Sequence, residues 1–178
     1  MSIQLVFETH ATTVDNEQDR ATGWRPGQLS ARGRIQAREL GLRRRRDGLA
    51  AVFSSDLDRA TETVSIAFGG SGLPLLYDWR LRECDYGRCS GMPAAELNRR
   101  RREHLDQPYR DGESWRQAVA RAGRFLGDLP LRCEEQRVLV VGHVATRWAL
   151  DHFILGTALE ELTRENFSWR AGWEYVLT

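Results

Sequence analysis

Two histidines and one arginine stand where this sequence could carry out chemistry, because each follows an apolar run. His10 ends the segment "LVFETH", His143 ends "VLVVGH", and Arg59 comes shortly after "VFSSD". A neutral imidazole can act as a nucleophile or a base, and a guanidinium can bind an oxyanion through two parallel hydrogen bonds. Any one of these residues alone is more often a structural hydrogen-bonding group. Their recurrence after apolar runs favours a shared site that binds an anion.

The elements that would position these residues follow from short apolar runs that alternate with helical stretches. Predicted strands are residues 3–7, "LAAVFSS", "LPLLYD", "RVLVVGH" and "GWEYVLT". The first predicted helix starts after Ser30, with Ala31, Ile35 and Leu42 at helical spacing. The second starts at residue 57, with Ser55 or Asp56 as its cap. Three more start at Pro93, at a Ser114–Gln117 capping box and at residue 145. This alternation predicts an α/β fold, a three-layer α/β/α sandwich with a mostly parallel central sheet.

A parallel sheet also predicts where the reactive side chains meet. In open α/β sheets, ligands bind beyond the carboxyl ends of the strands. His10 and His143 directly follow two predicted strands, and Arg59 lies just inside the helix that follows a third. We therefore expect two imidazoles and a guanidinium at one rim of the sheet.

Size and charge limit the classes of protein to which the chain could belong. Its 178 residues predict a single domain over residues 1–178, with enough length to bury a core without disulfides or metal. The formal net charge is only +1, with 25 acidic and 26 basic residues, which argues against a nucleic-acid partner. The arginine runs 43–46 and 99–102 are therefore interpreted as cationic helix ends.

Composition also bears on location and redox state. No apolar run approaches the roughly 20 residues that span a bilayer, and the first residues do not resemble a signal peptide, so we expect no membrane contact and a cytoplasmic location. The three cysteines, Cys84, Cys89 and Cys133, fit no zinc spacing and are expected to be reduced thiols. A homodimer is compatible with the sequence.

Several motifs, in this order, resemble the histidine phosphatase superfamily, which contains phosphoglycerate mutases and small broad-specificity phosphatases. The segments are "HATTVDN", "LSARGRIQARELG", "VFSSDLDRATET", "RLRECDYGRCSG", "GESW" and "VLVVGHVATR". The resemblance covers nearly the whole chain and implies a phosphoglycerate mutase-like fold. Each motif alone is weak, and the combination is specific.

The resemblance also implies roles for individual residues. His10 would attack phosphorus and become phosphohistidine, while Glu83 would protonate the leaving oxygen and then deprotonate water. Arg59 and His143 would bind the phosphoryl oxygens. Asn16, and with it Thr13, would add hydrogen bonds from the loop. The resemblance implies no metal and no cofactor, and a small, phosphorylated substrate.

The chain departs from the family pattern around the expected pocket. The family has Arg-His-Gly at the end of the first strand, and this chain has Thr9, His10 and Ala11. The arginine and the glycine of that motif are missing, and Glu8 stands where an apolar residue is usual. Strand alternation puts Glu8 and His10 on one side, where Glu8 would oppose a phosphate. Alternatively, Glu8 pairs with an arginine, for which the candidates are Arg20, Arg25 and Arg147.

Three functions remain open from the sequence. The first is a phosphomonoesterase that acts through phosphohistidine. The second is a divergent enzyme of isomerase or lyase type, in which His10, His143, Glu8 and Glu83 run acid–base chemistry on a small metabolite. The third is a small-molecule-binding protein without catalysis. Glu83 has its own alternative as a solvated acid paired with Arg80 or Arg82.

Overall fold

The structure, a computed structural model, describes residues 2–178. The strands are β1 (Ile3–Thr9), β2 (Ala51–Ser54), β3 (Leu75–Tyr77), β4 (Arg137–Gly142) and β5 (Trp173–Leu177). The helices are α1 (Val14–Glu17), α2 (Ala31–Arg44), α3 (Asp58–Phe68), α4 (Ala94–Arg100), α5 (Trp115–Asp128), α6 (Pro130–Cys133), α7 (Val144–Leu155) and α8 (Leu159–Leu162). Two short 3₁₀ helices, Trp79–Leu81 and Gly87–Cys89, follow β3.

The strands form one five-stranded sheet in the order β3-β2-β4-β1-β5. β1 and β2 both pair in parallel with β4, β3 pairs in parallel with β2, and β5 runs antiparallel to β1. The mostly parallel sheet is therefore confirmed. The carboxyl ends of β1, β2 and β4 lie side by side at one edge, and Thr9 is in register with Gly142.

Alternating side chains of the strands pack on the two faces of the sheet, which produces the predicted three layers. Leu5 and Phe7 of β1 pack with α5 and α7 on one face, as do Phe53 and Val140 from neighbouring strands. On the other face, Val6 joins a cluster built with α2 and α3. Glu8 continues the second set, so it leaves β1 on the α2 side.

Most element boundaries agree with those predicted, and the physical causes are visible. Ser30 caps α2 by accepting from Gly33 N at 3.0 Å, and the Ser114–Gln117 capping box opens α5. Gly156 ends α7 in the left-handed conformation with φ +74°. The first strand is longer than predicted, since it continues through Glu8 to Thr9.

Two local predictions were wrong. Neither Ser55 nor Asp56 caps α3: its N-cap is Leu57, which makes no side-chain cap bond, and the Ser55 hydroxyl is used elsewhere. On α2, Ala31, Ile35 and Leu42 are exposed, and the helix buries Gly33, Ala37, Leu40, Gly41 and Arg44 instead. Two glycines allow that face to approach closely: a Cβ at Gly33 would lie 1.9 Å from the Thr12 carbonyl oxygen. The loop after His10 is thereby held against α2.

Within residues 2–178, no helix is long and apolar enough to cross a membrane. Cys84 and Cys133 are buried free thiols, and Cys89 is a partly buried one.

Candidate active site

A large cavity opens at the carboxyl ends of β1 and β4. Its volume is about 930 Å³. The cavity is lined by the end of β1 and the loop after it, by α2, by Glu83 after the first 3₁₀ helix, by the start of α7, and by the segment before β5. The lining residues include Glu8, Thr9, His10, Thr12, Asn16, Arg32, Ile35, Gln36, Glu39, Arg43, Glu83, His143, Val144, Phe167 and Trp169. Two of the three strand-end residues, His10 and His143, thus share one cavity.

His10 is held in one tautomer by the backbone. Its amide donates to the Gly142 carbonyl at 3.1 Å, and its Nδ1 lies 2.8 Å from the Ala11 carbonyl oxygen. Because a carbonyl oxygen only accepts, Nδ1 carries the hydrogen and the lone pair resides on Nε2. Burial, and next the charge of Arg59, lower the pKa of His10 to about 3. The imidazole is therefore neutral near pH 7, with a free nitrogen for nucleophilic attack.

His143 lies beside His10, with the two ring centroids 5.0 Å apart. It is buried, and its Nε2 is 2.6 Å from the Ser55 hydroxyl oxygen. Burial, followed by the charges of Arg59 and His10, lowers the pKa of His143 well below its usual value. A guanidinium only donates, so in the 3.4 Å contact with Arg59 Nη2 the His143 Nδ1 is the acceptor, and Nε2 then carries the hydrogen that points to Ser55. To donate to a phosphoryl oxygen through Nδ1, His143 has to exchange this contact and its tautomer when a ligand binds.

Arg59 extends from the first turn of α3 to His143 and, unlike the two histidines, is not among the residues that line the cavity. Its Nη2 donates to the Gly23 carbonyl at 2.8 Å and lies 3.4 Å from His143 Nδ1. Its Nη1 is buried and has no hydrogen-bond partner in the described part of the chain. Burial lowers the pKa of Arg59 from its usual value. Because that usual value is very high, the guanidinium is still cationic at neutral pH. A buried guanidinium nitrogen without a partner suits an anionic ligand, because an unmet buried donor is costly.

Glu83 reaches the same cavity from the loop after the first 3₁₀ helix. Its carboxylate accepts from the backbone amides of Cys84 at 2.9 Å and Ala145 at 3.1 Å, and from Val144 at 3.3 Å. Two of these amides belong to the start of α7, the helix that begins directly after His143. Oε2 has only the long contact to Val144, so it is the oxygen better placed to exchange a proton. The alternative in which Glu83 pairs with Arg80 or Arg82 is wrong, since these pair with Asp78, Asp128 and Asp56.

Arg121 of α5 holds the loop that carries Glu83. It is 1 % exposed. Its guanidinium donates to the carbonyl oxygens of Arg80, Arg82 and Glu83 at 2.7–2.8 Å, and to both oxygens of Glu113 at 2.8 Å. One buried side chain therefore donates to three carbonyls of this segment, of which that of Glu83 also accepts from Trp24 Nε1 at 2.6 Å. Sequence reasoning gave no reason to single out Arg121.

Thr9, at the end of β1, and the loop residues Thr13 and Asn16 were all predicted to bind the substrate, and they differ in their positions. Thr9 and Asn16 line the cavity, and Asn16 Oδ1 accepts from the Thr13 amide at 3.0 Å, which leaves its NH₂ group for a ligand. Thr13 does not line the cavity. Its buried hydroxyl accepts from the Asn16 amide and caps α1. Thr13 is therefore a positioning residue for Asn16, and the prediction that it contacts the substrate is not supported by its place in the fold.

Glu8 is only 2 % exposed and also lines the cavity, where two arginines of α2 neutralise it. Arg44 donates Nε to Glu8 Oε1 at 2.9 Å and places Nη2 2.8 Å from it, and Arg43 contacts both oxygens at 3.2 Å. The pairing alternative is thus right in kind, and its candidate partners are wrong. Arg20 and Arg25 bind the carbonyls of Gly91 and Ser90, and Arg147 pairs with Asp151 and Glu165.

Sequence reasoning missed the residues that support the reactive groups and those that shape the cavity. Gln36 accepts from the Thr12 amide at 2.9 Å and so fixes the loop after His10. Ser55 orients His143, and its adjacency to the strand end in "FSSD" was the available signal. Ile35 and Phe167 line the cavity, and no local pattern marked them as wall residues.

Comparison with known proteins agrees with this geometry. A model of the histidine phosphatase superfamily (branch 1) matches residues 5–171. A 2,3-bisphosphoglycerate-dependent phosphoglycerate mutase of Bradyrhizobium sp. is 31% identical over 176 residues, which cover 90% of this chain and 83% of that protein. Phosphoserine phosphatase 1 of Hydrogenobacter thermophilus is 28% identical over 167 residues, 89% of this chain and 79% of that one. The structure of Bacillus stearothermophilus YhfR superimposes with a TM-score of 0.82 at 28% identity, covering 95% of this chain and 88% of that one. The family model spans nearly the whole chain, and the protein therefore belongs to the histidine phosphatase superfamily.

Proposed function

We propose that this protein is a phosphomonoesterase that hydrolyses a small phosphorylated metabolite through a phosphohistidine on His10. One observation carries the proposal: a neutral His10 with a free Nε2 lies 5.0 Å, ring to ring, from His143, which in turn contacts the buried Arg59. Phosphoryl transfer depends mainly on positioning and on stabilising charge at the phosphoryl oxygens, and these groups supply both.

In the first half-reaction, the lone pair on His10 Nε2 forms a bond to phosphorus. The bond between phosphorus and the leaving oxygen breaks, and the Glu83 carboxyl gives its proton to that oxygen. Arg59 and His143 bind the phosphoryl oxygens, with Nη1 of Arg59 as the donor that has no partner in the described chain. Asn16 adds its NH₂ group from the loop.

In the second half-reaction, water replaces the released alcohol. Glu83 takes a proton from the water as its oxygen attacks phosphorus, the bond from phosphorus to Nε2 breaks, and inorganic phosphate leaves. His10 returns to its starting tautomer because the Ala11 carbonyl holds the hydrogen on Nδ1 throughout. The cycle needs one nucleophile and one carboxyl that alternates between acid and base.

The acid–base alternative rested on Glu8 as a free carboxylate in the cavity and on the missing arginine of the Arg-His-Gly motif. Arg43 and Arg44 pair with Glu8, which removes the first of these two motives. Two competitors remain: small-molecule binding without catalysis and, because mutases are among the relatives, transfer of the phosphoryl group to a second hydroxyl instead of water. Release of inorganic phosphate distinguishes hydrolysis from both.

The test is phosphate release from a panel of phosphomonoesters, measured with EDTA present. Wild type should turn over, His10→Ala should abolish turnover, and Glu83→Gln should slow it about a hundredfold. His152→Ala is the matched control, since that imidazole binds the Thr157 carbonyl outside the cavity and should leave the rate unchanged. Folded wild-type protein that releases no phosphate from any ester would contradict the proposal.

A further inference from the structure

The cavity continues well beyond the two histidines, along one face of α2. Arg32, Ile35, Gln36, Glu39 and Arg43 recur at helical spacing on that face and all line it. At 1.5 Å per residue, the distance from position 32 to position 43 is about 16 Å along the helix axis. This trough, bounded by α2, is too long to be filled by a phosphoryl group alone.

The opposite wall of the trough is the segment that precedes β5. Phe167 adjoins Val144 at the start of α7, since both line a small crevice there as well as the cavity. Farther along, the Ala171 carbonyl accepts from Arg44 Nη2 at 3.0 Å. The segment therefore crosses from the catalytic end of the cavity to the end of α2, and Phe167 and Trp169 lie on it between these points.

The trough has no surplus positive charge. Its charged residues outside the catalytic group are Glu8, Arg32, Glu39 and Arg43, two acids and two bases. Glu8 already holds Arg43 and also Arg44, which in turn pairs with Asp47. Among the described residues, Arg32 is the one trough arginine without an ion-pair partner, so a second phosphate or a carboxylate on the leaving group would meet a single free cation and no cluster.

The walls instead expose large apolar side chains to the trough. Ile35 is 56% exposed, Phe167 42% and Trp169 61%. They come from two separate elements, with Ile35 on α2 and the two aromatic rings on the segment before β5. Large apolar side chains that line a concave site and stay half exposed are typical of surfaces that bury an apolar ligand. Because these side chains line the same cavity as His10, the group that occupies the trough is the organic leaving group of the substrate.

We propose that the substrate is a phosphomonoester of an apolar alcohol, aromatic or branched alkyl, whose organic part lies in the trough between Ile35 and Trp169. This inference rests on the proposed function and names its substrate class. Phe167 extends the apolar surface toward the phosphoryl site. The closed charge set of Glu8, Arg43 and Arg44 disfavours leaving groups that carry a carboxylate.

Activity and binding test this inference separately. The substrates are 2-phenylethyl phosphate and glycerol 3-phosphate, whose leaving oxygens are both aliphatic, so that the comparison reports the organic part. We expect kcat/KM to favour the phenylethyl ester by on the order of tenfold or more. Trp169→Ala should remove most of that preference, because it lowers kcat/KM for the phenylethyl ester far more than for glycerol 3-phosphate. Trp79→Ala is the matched control, because Trp79 is 49% exposed and does not line the cavity.

The binding arm does not require turnover. Calorimetry with 3-phenylpropylphosphonate and methylphosphonate should show tighter binding of the aromatic phosphonate, and Trp169→Ala should reduce this difference. If that holds while no ester is hydrolysed, the substrate class stands and the proposed hydrolysis fails. Equal affinities for the two phosphonates, or a preference untouched by Trp169→Ala, would overturn the inference even in an active phosphatase.

Discussion

The buried ion pair under the cavity gives a sharp test of the structure through Glu8→Gln. The glutamate is 2 % exposed and the Arg44 side chain 10%, so water screens their contacts little, whereas the Arg43 side chain is 31% exposed. A hydrogen bond to a charged group contributes roughly 1.5–3 kcal/mol, and breaking a buried pair typically costs about 3–5 kcal/mol. Gln keeps one acceptor oxygen, and Asp47 still contacts Arg44. We therefore expect a loss of about 3 kcal/mol.

That loss is measured as the free energy of unfolding from urea titration, with thermal unfolding as a second readout. For a chain of this size, about 3 kcal/mol corresponds to a fall in Tm of roughly 6–12 °C. Arg43→Gln is the control, because its longer and more exposed contacts should contribute no more than about 1 kcal/mol. A cost below about 1 kcal/mol for Glu8→Gln, or an equal cost for both variants, would refute the reasoning.

Three further outcomes are expected. Ser55→Ala removes the 2.6 Å contact that orients His143, so kcat should fall about tenfold, which corresponds to about 1.4 kcal/mol. Ser65→Ala, on the exposed side of α3, should leave kcat unchanged. Equal kcat values for the two variants would contradict the positioning role of Ser55. Gly172→Ala forces a side chain onto a residue with φ +89°, and urea titration should show a loss of about 1–3 kcal/mol, whereas full stability would contradict the strained geometry. The pKa of His10 is lowered in the folded state, so as the pH falls this histidine is protonated in the unfolded chain before it is protonated in the folded one. The free energy of unfolding should therefore decrease as the pH drops from about 6.5 to 5. A free energy of unfolding that stays constant over that range would contradict the lowered pKa.

The parts of the fold that follow local rules could be predicted from the sequence. Apolar runs, Ser30, Gly156 and the Ser114–Gln117 pair located strands and helix ends, because strands, caps and C-terminal glycines depend on a few neighbouring residues. The parallel topology then placed His10 and His143 at one edge.

Other features depend on contacts between distant parts of the chain. The partners of Glu8 lie 35 and 36 residues away on α2, and nothing in the run of four arginines distinguishes the two that face it. The apolar residues used to recognise α2 face the cavity and solvent, since the helix packs through Gly33 and Gly41 instead. Ser55 looked like a helix cap by spacing, and its hydroxyl is held by His143.

Detection of the phosphohistidine intermediate is the most direct test of the roles proposed for His10 and Glu83. Protein mixed with excess 2-phenylethyl phosphate is quenched in base, which preserves phosphohistidine, and examined by intact mass and peptide mapping. We expect one added phosphoryl group on the peptide that contains His10, slower appearance of that label in Glu83→Gln, which lacks the proton donor for the leaving oxygen, and no label in His10→Ala. A label on His143 instead, or a phosphorylated and active His10→Ala variant, would contradict the proposed mechanism.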